Sequence, residues 1–181
     1  MVPSIAVSVR TTRVLWMSLV ISTLLYLALL AKLHPAPQAV PAVEILVIAI
    51  AAATTGALSL FLPSRQLIAA LRRLELRVVD QIGEPVGSFR ESAPVRRVVA
   101  DAEAAVRAAM PAYQTSLILG MALAEAVALF GFALGFLGQP AQVVAPFFVV
   151  CWALMATKFP RLVRITRAIE TSTRAECRLG S

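Results

Sequence analysis

Long apolar runs alternate along the chain with shorter polar ones. Four apolar segments stand out, at about 14–31, 43–62, 113–137 and 141–157. Each approaches the ~20 residues that a helix needs to cross a hydrocarbon layer. Polar residues collect at 64–112 and again at 158–181. The pattern predicts an all-α integral membrane protein, with four transmembrane helices forming a single membrane domain over 1–181. The polar stretch between the second and third segments has a period of its own. Leu67, Ile68, Leu71, Leu74, Val78 and Ile82 recur at helical spacing, opposite Arg65, Arg72, Arg73 and Asp80. Gly83, Pro85 and Gly87 break that run. A second amphipathic helix is expected from Ser92, with Pro94 in its first turn, through Ala109. The two together make an amphipathic helical hairpin, placed on the cytoplasmic side.

The first apolar run is long for a secretory leader and no small-x-small site follows it, so it is expected to stay as a helix. Pro35, Pro37 and Pro41 end it in a stiff turn. His34, in that turn, is expected to be solvated. The second segment is rich in small residues, with Thr54 and Thr55 at its middle. In the third, Ser116, Gly120, Ala124 and Ala128 recur every four residues, and Gly131 and Gly135 continue the stripe. In lipid, where apolar burial does not drive helices together, small residues let backbones approach closely. The stripe is therefore expected to be a helix-packing face, within the chain or between copies in a homo-oligomer. Gly138, Gln139 and Pro140 predict a tight turn before the fourth segment.

Charge adds direction. The 181 residues are 59% hydrophobic and only 15% charged, with a net charge of +7. The basic residues do not form a nucleic-acid surface. They lie before the first segment, in 64–112 and after the fourth segment, with Lys32 alone on the other side. The excess of arginine in cytoplasmic loops then puts both termini and the 64–112 region in the cytoplasm of a bacterial inner membrane. Arg161, Arg164 and Arg167 leave the fourth segment at helical spacing, suited to headgroups of the lipid bilayer. Cys151 and Cys177 fall in different environments and are expected to stay unpaired. No Ser-His-Asp set, Cys-His pair, metal-ligand cluster or phosphate-binding glycine loop is present, so neither an enzyme, a metal nor a cofactor is expected.

One acid lies in the middle of a span. Glu125 sits near the centre of 113–137, where an ionised carboxylate costs roughly 2.5–3.5 kcal/mol. The run Gly120-Met121-Ala122-Leu123-Ala124-Glu125-Ala126-Val127-Ala128-Leu129-Phe130-Gly131-Phe132 resembles the carboxylate-bearing helix of the ATP synthase membrane rotor subunit, subunit c. That family carries G-M-A-L-x-E-A-x-x-[IL]-[YF]-G around its ion-binding acid. The resemblance covers about Gln114–Phe136 and implies an ion-binding role for Glu125. Ala126 stands where sodium-type members have Ser or Thr, which implies protons. Spans two and three reproduce the family's hairpin order, although the second lacks the alternating glycines and two further spans are present. The resemblance thus implies a subunit-c-like hairpin inside a larger protein. Thr54 and Thr55, on the neighbouring helix, are expected to hydrogen-bond the Glu125 carboxyl. No arginine lies within a span, so a charge partner opposite Glu125 would come from another membrane subunit. The alternative is an accessory four-helix protein, in which the hairpin binds a partner and Glu125 is a buried hydrogen-bonding residue.

Overall fold

In the computed structural model, which describes residues 3–33, 36, 38–74, 76–82 and 95–177, helices follow the apolar runs; the first three reach into the neighbouring polar residues and the fourth coincides with its run. The order is α1 (Pro3–Leu33), α2 (Ala42–Arg72), β1 (Val78–Ile82), β2 (Val95–Val99), α3 (Ala102–Phe136), α4 (Ala141–Thr157) and α5 (Leu162–Thr173). The chain is of the all-α class with one short β ribbon. Three helices are long and apolar enough to cross a membrane, and α4, at 17 residues, makes a fourth when it is counted with α5. Contacts gather into two compact units: a helical unit of residues 11–64 and 116–160, and a mixed unit of residues 1–10, 65–115 and 161–181.

The helical unit is built around α3. Of the apolar windows, 44% of the one in α3 is buried, against 17% in α2 and 6% in α1. Large apolar side chains such as Leu25, Val47, Phe61 and Val149 face outward from the other three helices. An apolar outer surface of this extent suits a bilayer and not water. Ala124, Ala128, Leu134, Phe148 and Cys151 form the centre of the core. Gly138 has φ 73°, and two backbone bonds close the end of α3 there: Gly138 N–H to the Gly135 carbonyl and Gln139 N–H to the Leu134 carbonyl. That is the Schellman pattern, which needs a left-handed residue at this position. The tight turn expected at 138–140 is present.

Pro63 lies inside α2. A proline in a helix leaves the carbonyl four residues back without its N–H partner, here that of Ser59. Lys158 Nζ donates to that carbonyl at 2.6 Å. The Ser59 hydroxyl donates to the Gly120 carbonyl at 2.8 Å, and Ser116 Oγ donates to the Pro63 carbonyl at 2.6 Å. The carbonyl freed by the proline is thus covered by Lys158, just past α4, and the carbonyl of the proline itself accepts from Ser116 of α3. Nearby, Trp16 Nε1 donates to the Met155 carbonyl at 3.0 Å, and its ring meets Phe159 edge-on. The Arg13 guanidinium stands 5.9 Å from the Phe159 ring centre, within cation–π range.

In the mixed unit the expected helical hairpin is corrected. The amphipathic helix ends at Arg72, with Leu71 buried and Arg65, Arg72 and Arg73 exposed. Val78–Ile82 then pairs antiparallel with Val95–Val99, with Val78 opposite Val99 and Asp80 opposite Arg97. The physical reason lies in the spacing. Leu74, Val78 and Ile82 are four apart, and so are Val95 and Val99. Four is close to a helical turn and is also twice the strand period, so the spacing fits either structure. Valine and isoleucine, stiff at χ1, then favour the strand. The expected helix start at Ser92 and Pro94 lies outside the described residues, as do Gly83, Pro85, Gly87, His34, Pro35 and Pro37. α3 instead starts at Ala102, where Asp101 Oδ1 accepts the Ala104 N–H at 2.8 Å as an N-cap. It runs through Pro111 without a break.

Leu71, Val99, Val106, Tyr113, Ile165 and Ile169 share the core of this unit. Residues 174–177 close it: Val98 bridges Glu176, and Cys177 N–H donates to Glu170 Oε1 at 3.2 Å. Cys151 and Cys177 are both free and buried. Burial first, and the Glu170 carboxylate second, push the Cys177 thiol above its ordinary value.

Candidate functional site: a carboxyl held by two hydroxyls

Glu125 lies on α3, half-buried inside the helical unit, one residue from the fully buried Ala124. Its partners come from α1. The Ser22 hydroxyl donates to Glu125 Oε1 in a short bond, and the Tyr26 hydroxyl donates to the same oxygen at 3.0 Å. Ser22 and Tyr26 are four residues apart, so one helical face presents both. Ser22 falls near the middle of the apolar part of α1, as Glu125 does in the third apolar run. The Tyr26 ring leans on Phe132 of α3, with centroids 5.5 Å apart, which fixes the direction of its hydroxyl.

Ser22 Oγ also lies 3.0 Å from the Leu19 carbonyl, on its own helix. A serine hydroxyl has one proton and two lone pairs, so it cannot donate to both oxygens at once. With Glu125 ionised, Ser22 and Tyr26 both donate to Oε1. With Glu125 protonated, the acid can donate to Ser22 Oγ, whose own proton turns to the Leu19 carbonyl. Rotation of one hydroxyl keeps both Ser22 and Tyr26 paired in either state. Neither hydroxyl is then left without a partner when the carboxyl changes its protonation state; an unpaired buried polar group costs about 1–3 kcal/mol.

Thr54 and Thr55 are not part of this cluster. The Thr54 hydroxyl donates to the Ile50 carbonyl and the Thr55 hydroxyl to the Ala51 carbonyl, each at 2.8 Å on α2 itself. The hydrogen bond expected from them to Glu125 is corrected to Ser22 and Tyr26. A threonine in an apolar helix has its own carbonyl four residues back within reach, and its single proton is spent there. The signal for Ser22 and Tyr26 was present in the sequence: two polar residues one turn apart near the middle of an apolar run.

The small stripe on α3 is buried throughout: Ser116, Gly120, Ala124, Ala128, Gly131 and Gly135. A Cβ added to Gly120 would come within 3.1 Å of Pro63 and 3.3 Å of Lys158. One added to Gly131 would come within 2.6 Å of Phe147, and one added to Gly135 within 2.7 Å of Leu30. The stripe therefore seats α1, α2 and α4 of the same chain. Sequence reasoning missed the cover over the Ser59 carbonyl, although a proline inside an apolar helix announces a freed acceptor.

No model of a known protein family matches this chain, and no curated protein or solved structure does.

Proposed function

We propose that this is a proton-exchanging membrane protein of subunit-c-like chemistry, in which Glu125 takes up and releases a proton at mid-bilayer. The observation that carries the reading is the Ser22 hydroxyl, within reach of both Glu125 Oε1 and the Leu19 carbonyl. It supports a carboxyl suited to both protonation states rather than to one. The likeness of Gly120–Phe132 to the rotor helix supports the same role. A subunit supplying an arginine opposite Glu125 would provide the step that drives release, as a cation favours the ionised carboxylate. In infrared difference spectra of the reconstituted protein between acidic and alkaline pH, a protonated-carboxyl band should appear and vanish in Glu125→Gln. Spectra with no Glu125-dependent band would remove the reading.

The positive-inside distribution of arginine supports placement in a bacterial inner membrane with the mixed unit cytoplasmic. Thr171 is exposed on α5. A Thr171→Cys variant should therefore react with an impermeant thiol reagent in inverted vesicles and not in intact cells. Labelling from outside intact cells would reverse the orientation.

A second reading rests on the same bonds. Ser22 and Tyr26 tie α1 to α3, so Glu125 would act as a clasp in an accessory membrane protein and move no proton.

A further inference from the structure

We infer that the outward face of α5 is a docking surface for anionic phospholipid headgroups. Ile165 and Ile169, at 1% and 0% exposure, bury the inward side of this helix in the core of the mixed unit. Its outward side carries Val163, Arg164, Arg167 and Thr171, all exposed, and Arg161 is exposed at the N-cap. The inward side is already covered by the protein, so α5 is not an amphipathic helix waiting to bury its apolar stripe. What it offers outward is charge.

Three nearby carboxylates have partners away from this face. Glu170, the one acid of α5, turns to the Cys177 N–H. Asp80 stands 3.9 Å from Arg97, and Asp101 caps α3. Among the described residues, none of Arg161, Arg164 and Arg167 belongs to an ion pair. The position along the chain selects the anion. Arg161 follows Thr157, the last residue of the apolar α4, by four residues, a covalent reach of at most about 14 Å. A guanidinium as near along the chain to the end of an apolar helix as that of Arg161 suits a phosphate of the headgroup layer, and Arg164 and Arg167 continue the same basic face. Arginine binds phosphate in a two-pronged geometry. Val163, 65% exposed between the arginines, is an apolar side chain suited to the boundary between headgroups and acyl chains.

Each arginine near an anionic surface is worth roughly a fivefold gain in binding, so three amount to about a hundredfold. The test uses the full chain in a zwitterionic detergent, titrated with short-chain phosphatidylglycerol, phosphatidylcholine or inorganic phosphate while the melting temperature is followed. Phosphatidylglycerol should raise it, with the rise lost in high salt. Arg161→Gln, Arg164→Gln and Arg167→Gln together should move the half-saturating concentration up about a hundredfold. The triple change to lysine, which keeps the charge, should move it only a few-fold. Should the glutamine variant not fold, Thr171→Glu, which adds a negative charge to the same face, should weaken binding several-fold. The inference is overturned if the folded glutamine variant, or Thr171→Glu, binds like the wild type. It is equally overturned if phosphatidylcholine or inorganic phosphate produces the same rise.

Discussion

Gly131→Ala is expected to destabilise the helical unit by about 2 kcal/mol, whereas Gly56→Ala is expected to leave it unchanged or slightly more stable. Both glycines are buried in helices, and in both cases alanine improves helix propensity by about 1 kcal/mol. Space decides between them. At Gly131 the new methyl would stand 2.6 Å from Phe147 Cβ, an atom that moves only with the α4 backbone. Overpacking of that kind costs about 3 kcal/mol. At Gly56 the nearest atoms are Leu154 Cδ1 at 3.5 Å and Val127 Cγ2 at 3.8 Å, ordinary contact distances. Thermal unfolding of the two variants in the same detergent measures the difference. Equal melting temperatures would mean that α3 and α4 do not meet at Gly131.

Changes at Glu125 should separate by chemistry as well as by size. Glu125→Gln keeps the shape and a carbonyl that accepts from Tyr26, so its stability should match the wild type within about 0.5 kcal/mol. Glu125→Leu leaves the Tyr26 hydroxyl without its acceptor, at a cost of about 1–2 kcal/mol on the scale of hydrogen bonds between membrane helices. Ser22→Ala should cost less than Glu125→Leu, because the Leu19 carbonyl keeps its helical partner. These variants should unfold in the order Leu first, then Ala, then Gln. A leucine variant as stable as the glutamine one would show that the α1 hydroxyls do not hold the carboxyl.

The parts of this fold that could be read from sequence are those set by bilayer physics. A helix in lipid needs an apolar run of fixed length, so α1 to α4 were visible, and Glu125 stood out because a charge there is expensive. The close-packing stripe was visible because only small residues allow helices near one another. The polar stretch was harder. Leu74, Val78 and Ile82 are four residues apart, as are Val95 and Val99, a spacing that suits a helix and a strand alike, and Ser92 with Pro94 after it suits a helix start. The partner of Glu125 was also misplaced, because Thr54 and Thr55 matched its depth, and depth says nothing about rotation about the helix axis. Their protons go to their own helix, while Ser22 and Tyr26 approach from α1. Chain order favoured α2, the preceding span, but the bundle brings α1 to that face.

Proton movement is the direct test of the role proposed for Glu125. The wild-type protein, reconstituted into liposomes holding a pH-sensitive dye, should dissipate a potassium-diffusion potential as a proton current, alone or with a partner membrane subunit. Glu125→Gln, equally folded and equally incorporated, should abolish that current, and a hydrophobic carbodiimide that modifies the protonated carboxyl should do the same to the wild type. A current unchanged in Glu125→Gln, or wild-type vesicles as tight to protons as empty ones with and without the partner, would contradict proton exchange and leave Glu125 a clasp between α1 and α3.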